Sequence, residues 1–411
     1  MAKVKITGHA SGTGVLTITA PNTSTDRTIT LPDSTGTILD TTSTLDATKL
    51  SGTLPALNGA SLTGVAGRRN MIINGDMKVD QRGSGTTEVS TGANPAYISA
   101  DRWLLYNNTV AHLVARVEDA PNEFKYSYKF KSNGAVTPGT NDYLYLAYKL
   151  EGQDLQQLAK GTTDAKAITL SFWVKAYQAG TYQINIADKD NNRVIGKTYA
   201  ISSSATWEKK TITFAGDTTG AFTSDSNLSA RIEWWFAAGS AFTSGAVPTS
   251  WEAETNADRN AGGTINTASS ANNYFQITGV QLETGSVATD FEHRSYGEEL
   301  ALCQRYYQKT TSSNVGGAYQ NIAVCTRIGN TVFRGIIEFP VTMRTQPSFS
   351  STGNFQSLDG FTFSSVVAGD GPSLDRHGIQ VFTSENGSSG DSILFRANND
   401  GTAALIYDAE L

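Results

Sequence analysis

The feature that most restricts the fold of this chain is a two-residue alternation of apolar and polar side chains within residues 167–188. Positions 169–174 read TLSFWV, and a second alternating run follows at 182–186. A period of two with β-branched and aromatic residues is typical of strands that have two distinct faces. We predict two buried strands joined by a tight turn at 178–180, where glycine tolerates the positive φ that hairpins need.

Similar strand-like segments recur through residues 68–294, and about ten can be counted. Besides the two strands within 167–188, they lie at 71–79, 98–106, 123–131, 142–150, 192–201, 208–214, 228–236 and 273–282. No regular alternation with helices separates them, apart from a short helix expected at 154–160, capped by Asp154. The pattern therefore favours an all-β protein whose central domain is an antiparallel β-sandwich of the jelly-roll type. A charged fraction of only 17% agrees with this class.

Residues 1–67 contain no Phe, Tyr or Trp. A segment this poor in bulky side chains cannot bury enough apolar surface to offset its ordering entropy. It is therefore either disordered or ordered by other chains. Leucines recur every three to six residues from Leu39 to Leu62, which favours an extended, β-rich arm wound with copies of itself.

Residues 295–310 carry the strongest helix signal, because they open with the S-x-x-E spacing of a capping box. Four side chains then follow at steps of four, three and four, as in a coiled-coil seam. They are Tyr296, Leu300, Cys303 and Tyr307. The segment is either a short helical neck that holds three chains together or a single helix that lies on its own domain.

Residues 311–411 return to strand-like patterns and suggest a separate C-terminal β-sandwich-like domain. The predicted strands are 320–327, 332–339, 348–355, 379–383, 392–396 and 403–407. The sequence NNDG at 398–401 is a hairpin signal just before the last of them.

Charge and composition argue against several classes of protein. The formal net charge is −6, so no basic field is expected to attract nucleic acid. The first 20 residues lack the apolar segment of a secretory signal, and no run approaches the length of a membrane-spanning helix. The two cysteines do not form a disulfide framework, which agrees with synthesis in a cytoplasm.

No pattern of catalytic residues stands out. Neither the G-x-x-x-x-G-K-[ST] motif nor a G-x-G-x-x-G motif between a strand and a helix occurs. The four histidines are scattered and do not have the spacing of metal ligands. We therefore assign no catalytic residue and no metal ligand, and expect a protein that is not an enzyme. Carboxylates are numerous enough that a glycosidase pair stays an alternative.

One loop, from Asp188 to Asn192, matches the opening D-x-D-x-N of a calcium loop. Arg193 and Tyr199 occupy the positions where that loop needs Gly and Glu, so we interpret the segment as a polar hairpin turn. No cofactor is expected. A structural calcium is the alternative, and it would need further oxygens near Asp76 and Glu283.

All six tryptophans fall within residues 68–294. Aromatic faces stack on the CH-rich faces of sugars, while polar neighbours bond the hydroxyls. Trp173, inside a strand pattern, is assigned to the core. Trp234 and Trp235 are consecutive, so one of them should point away from the core unless a bulge or covering loop intervenes. With Trp251, in a long loop, they are the predicted glycan-binding residues.

Three segments carry a resemblance to a known family. They are RRNMIINGDMKVDQRG from residue 68, LEGQDLQQLAKGTTDAKAITLSFWVKAYQAGTYQINI from residue 150, and GVQLETGSVATDFEHRSYGEELALCQRYYQKT from residue 279. These resemble tail-fibre proteins of bacteriophages, especially marine and cyanobacterial phages. Parts of residues 1–67 are similar to fibre shaft repeats, and IEFPVTMRTQP at 337–347 is similar to C-terminal domains of the same proteins.

The resemblance implies a homotrimeric virion protein, made in the host cytoplasm. Its N-terminal arm would attach to the tail or to an adaptor protein. Its β domains would bind a host cell-surface receptor, with the central domain similar to carbohydrate-binding jelly rolls. The family supplies no agreed ligand residues. A structural adaptor or collar protein without receptor binding, and a polysaccharide depolymerase, are the alternatives.

Overall fold

The alternating segments of the sequence form antiparallel strands, and the prediction of an all-β protein is confirmed. The computed structural model describes residues 69–83, 87–92, 95–109, 111–311 and 319–411. The predicted arm, residues 1–67, lies outside these ranges. The described residues belong to one compact unit.

The described part of the central domain contains twelve strands. They are β1 (Val89–Thr91), β2 (Trp103–Asn107), β3 (His112–Val117), β4 (Ser127–Ser132), β5 (Tyr143–Glu151), β6 (Ile168–Ala176), β7 (Gly180–Asp188), β8 (Arg193–Ile201), β9 (Glu208–Phe214), β10 (Leu228–Ala238), β11 (Glu252–Ala253) and β12 (Tyr274–Thr284). The first sheet has the order β1-β3-β4-β12-β6-β9, and the second has the order β11-β8-β7-β10-β5-β2. One large apolar core lies between the two sheets.

Strands β6 and β7 show how the alternation builds this core. Leu170, Phe172 and Val174 of β6 are fully buried, as are Tyr182 and Ile184 of β7. The two strands lie in different sheets, however, so the predicted tight hairpin is wrong. The segment at 178–180 instead carries the chain from one sheet to the other, because both strands contribute their apolar faces to the same core.

The predicted short helix near 154–160 is a 3-10 helix, Gly152–Leu158, and its N-terminus has no side-chain cap. A four-residue helix, α1 (Ser240–Thr243), and two short 3-10 helices, Asn256–Asp258 and Thr267–Ser269, follow between β10 and β12. None of the helices in the described ranges has the length and apolar character needed to span a membrane.

Helix α2 (Tyr296–Gln304) begins as predicted, because the Ser295 side chain accepts a hydrogen bond from the Glu298 amide. It ends before Tyr307, which lies on the next strand. Tyr296 is 58% exposed, whereas Cys303 is fully buried, so the four predicted seam residues do not share one helical face.

The buried face of α2 packs against the sandwich. Glu299 accepts a hydrogen bond from the Asn74 amide at 2.6 Å and pairs with Arg294 at 3.3 Å. Within one chain α2 therefore lies on its own domain, and a neck that holds three chains together stays a prediction.

The remaining nine strands form two further sheets. They are β13 (Tyr307–Thr311), β14 (Asn321–Arg327), β15 (Val332–Glu338), β16 (Ser348–Thr352), β17 (Phe355–Ser357), β18 (Thr362–Pro372), β19 (Arg376–Thr383), β20 (Ser392–Ala397) and β21 (Ala404–Asp408). Six of them close into a barrel in the order β14-β15-β19-β18-β17-β20, whereas a sandwich-like arrangement was predicted. The other three pair as β13-β21-β16. The NNDG turn thus leads from the barrel to this small sheet and not into a hairpin.

A buried ion cluster joins the last residues of the sequence to the sandwich. Glu410 pairs with Arg102 and, at 3.1 Å, with Arg82, which also contacts Asp101 at 3.3 Å. The Arg102 guanidinium lies 3.4 Å from the centre of the Tyr306 ring. Because removing one partner of a buried ion pair leaves an uncompensated charge, this cluster ties the C-terminal strands firmly to the central domain.

Candidate functional site

Two of the predicted glycan-binding residues, Trp234 and Trp235, are buried on opposite faces of the second sheet. Trp234 points into the sandwich core, with its ring 5.6 Å from that of Trp103. Trp235 points to the other face, as expected for consecutive strand residues. There it packs against Phe242 of α1 and against Tyr145. Both tryptophans are 0% exposed, so the prediction that one of them contacts a glycan is wrong.

A buried carboxylate holds the covering segment on the second sheet. Glu233 accepts hydrogen bonds from Arg259 at 2.8 Å and from the Trp235 indole at 2.9 Å, and it pairs with Arg231 at 2.5 Å. Burial raises the pKa of Glu233, but the two guanidinium groups outweigh burial and lower it to about 2. Since Arg259 belongs to the loop that follows α1, this carboxylate fixes the loop over Trp235.

Trp251 is half-buried and is engaged within the protein. Its indole donates to the Ala215 carbonyl at 2.8 Å, and its ring centre lies 5.3 Å from the Lys160 ammonium. The Arg193 side chain donates to the Trp251 carbonyl at 3.1 Å. The Trp251 ring therefore covers Lys160, and its indole N–H is already bonded within the protein.

The Lys160 ammonium is surrounded by four oxygen atoms. It pairs with the carboxylates of Asp188 at 2.5 Å and Asp217 at 3.1 Å, and it donates to the carbonyls of Thr219 at 2.9 Å and Gly220 at 2.6 Å. Burial raises the pKa of Asp217, but hydrogen bonds from Arg193, Thr219 and Lys160 lower it overall. The carboxylates therefore face a cation that the chain itself supplies.

The calcium-like loop forms the predicted polar hairpin turn. Asp188 and Arg193 pair across it, and the Asp188 carboxylate accepts the backbone amides of Asp190 and Asn191 at 3.0 and 3.1 Å. Glu283 accepts hydrogen bonds from the Gln281 and Thr289 side chains at 3.0 and 2.8 Å, and Asp76 pairs with Lys78 at 2.7 Å. Across the described ranges, no group of three or more His, Cys, Asp and Glu side chains is placed to hold a metal ion.

The outer face of the first sheet carries aromatic side chains that reach solvent. Trp173 lies on this face because it alternates with the buried Phe172 and Val174, which corrects its assignment to the core. Trp207 and Tyr274 are half-buried, and Tyr177, 6.2 Å from Tyr274 between ring centres, is 46% exposed. We call Trp173, Trp207, Tyr274 and Tyr177 the aromatic platform.

Asp119 provides the polar group beside the aromatic platform. Its carboxylate accepts hydrogen bonds from the Trp207 indole at 3.2 Å and from Lys175 at 2.7 Å. Burial raises the pKa of Asp119, but the hydrogen bonds from Lys175 and Trp207 outweigh it and bring the pKa below its ordinary value. The side chain is 43% exposed, so an ionised acceptor stands beside an aromatic ring at neutral pH.

Further polar groups follow on the neighbouring strands. Gln276 of β12 is paired in register with Lys175 of β6, and Thr278 with Trp173. On β4, the Lys129 ammonium lies 5.5 Å from the centre of the Tyr274 ring. With adjacent strands about 4.8 Å apart, the row from β4 across β12 and β6 to the position of Trp207 spans roughly 14 Å. That length suits an extended ligand with several rings.

The platform can bind a molecule that has both apolar CH faces and hydroxyl groups. Aromatic rings cover CH faces, and a carboxylate and ammonium groups provide acceptors and donors. Sequence reasoning missed Trp173 even though the alternation in TLSFWV places it with Thr169 and Ser171, the outward set. It missed Trp207 because that residue precedes a strand, and only the fold brings Asp119 to it.

Two carboxyl groups with raised pKa values lie elsewhere and are buried. Burial raises the pKa of Asp101 to about 6 despite the nearby Arg82, and burial also raises that of Glu299. Asp101 is fully buried at the junction with the C-terminal strands, and Glu299 is on the buried face of α2. Neither side chain is placed to contact a polysaccharide at the surface, so their shifted pKa values reflect packing.

Comparison with known proteins finds similarity at the level of structure. No protein-family model matches the sequence, and no curated protein matches it. The enzymatically active domain of tailspike protein 4 from bacteriophage CBA120 is 14% identical, with a TM-score of 0.27; the match covers 52% of this chain and 21% of that one.

Carbohydrate-binding modules are also among the similar structures. A family 11 module from Clostridium thermocellum, in complex with a β-1,3-1,4-mixed-linked tetrasaccharide, is 14% identical with a TM-score of 0.25, covering 50% of this chain and 98% of the module. A family 61 module in complex with β-1,4-galactotriose is 10% identical with a TM-score of 0.25, covering 53% of this chain and 99% of the module. The match thus spans about a fifth of the tailspike chain and nearly all of each module.

Proposed function

We propose that this chain binds a saccharide of a bacterial cell surface through the aromatic platform. The observation that carries the proposal is the combination of Trp173, Trp207 and Tyr274 with the ionised Asp119 on one solvent-facing sheet surface. A charged or purely polar ligand would leave the rings without a partner, and a purely apolar ligand would strip water from the ion pair of Asp119 and Lys175 without replacing it. A sugar chain satisfies both kinds of group.

The saccharide-binding sandwich is proposed to belong to a bacteriophage tail fibre, a homotrimeric component of the virion. The sequence resemblance described above supports this assignment, as does the composition of residues 1–67, which contain no aromatic side chain. Such an arm gains stability by winding with two copies of itself, and its N-terminal end would contact the phage tail or an adaptor. Three copies of a weak site then bind one cell surface together, which raises the overall affinity by orders of magnitude.

Replacing Trp207 by alanine is expected to weaken binding of the full chain to host surface polysaccharide by about tenfold or more, about 1.4 kcal/mol. The change removes the ring and also the indole hydrogen bond that orients Asp119. Trp173→Ala should act in the same direction. Binding is measured by isothermal titration with polysaccharide extracted from a host strain that the phage adsorbs to.

Tyr319→Ala is the matched control, because Tyr319 is an exposed aromatic residue outside the sandwich. Its affinity should equal that of the unaltered chain. Equal affinity of the Trp173 and Trp207 variants would contradict the proposed site. Failure of the unaltered chain to bind host cells or to compete with whole phage would favour a structural adaptor, and release of reducing ends would favour a depolymerase.

The oligomeric state provides a separate prediction. Size-exclusion chromatography with light scattering is expected to give three times the mass of one chain, since residues 1–67 lack the apolar surface to fold alone. A stable monomer at micromolar concentration would refute the trimer while leaving the saccharide site open to its own test.

A further inference from the structure

A second cavity lies at one end of the C-terminal barrel, far along the chain from the aromatic platform. Three connections meet there: 328–331 between β14 and β15, 358–361 between β17 and β18, and 384–391 between β19 and β20. The cavity has a volume of about 370 Å³, within the range of pockets that hold small ligands. Mouths of barrels are among the places where such pockets are common.

Arg327 forms one wall of this cavity. It is 2% exposed, and its guanidinium donates to the carbonyls of Asn330 and, at 3.1 Å, of Glu385. Its Nε atom is buried and has no hydrogen-bond partner within the described ranges, although the Asp391 carboxylate lies 3.8 Å away. Nε itself therefore lies beneath the cavity wall, and the guanidinium places a fixed positive charge at the edge of the cavity.

Gly387 allows the loop to approach this guanidinium. A Cβ atom at that position would lie 2.6 Å from the Arg327 Cζ atom, which is closer than any real contact. The face of the guanidinium is also covered, since the Phe333 ring centre lies 4.3 Å from Cζ. Arg327 is therefore held in one orientation, with backbone carbonyls on one side and the cavity beside it.

The other lining groups decide what kind of ligand fits. The polar ones are Asp359, Asp391, Asn386 and Ser392, and Phe361 contributes an aromatic ring. Two carboxylates against one guanidinium give the wall an excess of negative charge, which disfavours an acidic ligand. Carboxylate, amide and hydroxyl groups around an aromatic ring suit a compact molecule with several hydroxyl groups and a CH face.

We propose that the barrel end is a second saccharide site, which takes a single neutral sugar unit. It rests on the proposed saccharide-binding function of the chain, but it uses residues of a different domain. The carboxylates of Asp359 and Asp391 accept from hydroxyl groups, the fixed charge of Arg327 holds the Asp391 side of the wall, and Phe361 covers the CH face. The platform then binds an extended segment of a polysaccharide, while the barrel binds one unit.

The test is saturation-transfer NMR on the full chain with methyl glycosides of glucose, galactose and mannose, with N-acetylglucosamine, and with glucuronate, each at about 10 mM because single sugars bind at millimolar strength. Asp359→Asn and Asp391→Asn keep the side-chain shape and are made at exposed carboxylates, so folding is not at risk. At least one neutral sugar is expected to bind, and each variant should weaken it about tenfold, since a charge-assisted hydrogen bond is lost. Glucuronate should bind more weakly than the best neutral sugar.

Asp375→Asn is the matched control, because Asp375 is an exposed carboxylate in the turn before β19, at the opposite end of the barrel. It should leave binding unchanged. Sugar binding that is sensitive to Trp207→Ala but not to Asp359→Asn and Asp391→Asn would overturn the barrel site and leave the platform intact. Sugar binding that is sensitive to Asp359→Asn and Asp391→Asn but not to Trp207→Ala would support the barrel site. No binding of any sugar, a preference for glucuronate, or calcium binding alone would overturn the barrel site.

Discussion

Replacing Lys160 by methionine is expected to lower the free energy of unfolding by about 3–5 kcal/mol, because it leaves buried carboxylates without their cation. The ammonium contacts two carboxylates and two carbonyls within 3.1 Å, and its side chain is 4% exposed. In the variant the Arg193 Nε atom still pairs with the Asp217 carboxylate at 2.7 Å. Most of the lost stability therefore comes from Asp188, whose carboxylate has no cation. The measurement is urea unfolding at neutral pH, followed by tryptophan fluorescence.

The matched control is Lys125→Met. Lys125 pairs with Glu118 at 3.4 Å, and the two side chains are 66% and 55% exposed. Exposed ion pairs contribute little, so the midpoint of unfolding should not move. A Lys160 variant with the unfolding midpoint of the unaltered chain would show that the four oxygen atoms are solvated in another way and would contradict the structure at this position.

Lys160→Ala adds a second readout, because alanine leaves the space of the ammonium vacant. Two carboxylates and two carbonyls are ligands that Ca²⁺ prefers. Calcium should therefore restore part of the stability of Lys160→Ala, whereas magnesium, which demands a stricter geometry, should restore less. Neither ion nor a chelator should change the midpoint of the unaltered chain, where Lys160 occupies the position. A chelator effect on that chain would indicate a calcium site elsewhere.

The second large effect is expected for Glu233→Gln, which should destabilise the protein by about 3–5 kcal/mol at neutral pH. Glutamine keeps the shape of the side chain, but Arg231 and Arg259 then face each other across a neutral group. The loop that covers Trp235 loses its buried anchor. Urea unfolding at pH 7 measures the loss, with Glu118→Gln as the exposed control.

The pH dependence of this loss follows from the pKa of Glu233. The folded pKa of about 2 lies below the ordinary value of 4.5, so as the pH falls the unfolded chain takes up the proton first. The stabilisation is complete above pH 4.5 and is lost as the pH falls towards 2. The difference between Glu233→Gln and the unaltered chain should therefore shrink by about 2 kcal/mol between pH 7 and pH 3.

Asp101 titrates in the opposite sense, because its folded pKa of about 6 lies above the ordinary 3.8. Its contribution favours the folded state as the pH falls through 6, but it is common to both proteins and cancels in the comparison. A difference that stays constant from pH 7 to pH 3 would contradict the assignment to Glu233.

Much of the central fold could be predicted from local patterns. The alternation of TLSFWV and its neighbours determines which side chains of β6 face the core, and the S-x-x-E spacing determines where α2 begins. The same alternation contains the outward position of Trp173, although we assigned this residue to the core. Strand periodicity was therefore the better guide, since it reports the face and side-chain size does not.

The amino-acid sequence by itself determined the all-β class, most strand positions and the helix cap, because these depend on residues that are only a few positions apart in the sequence. Tertiary structure alone decided which strands are neighbours: β6 and β7 face each other across the core, and the last strand pairs with the segment after α2. It also decided that a loop anchored by Glu233 covers Trp235, and that Trp207 meets Asp119 from 88 residues away. Burial and charge pairing are properties of distant segments brought together, so no local pattern contains them.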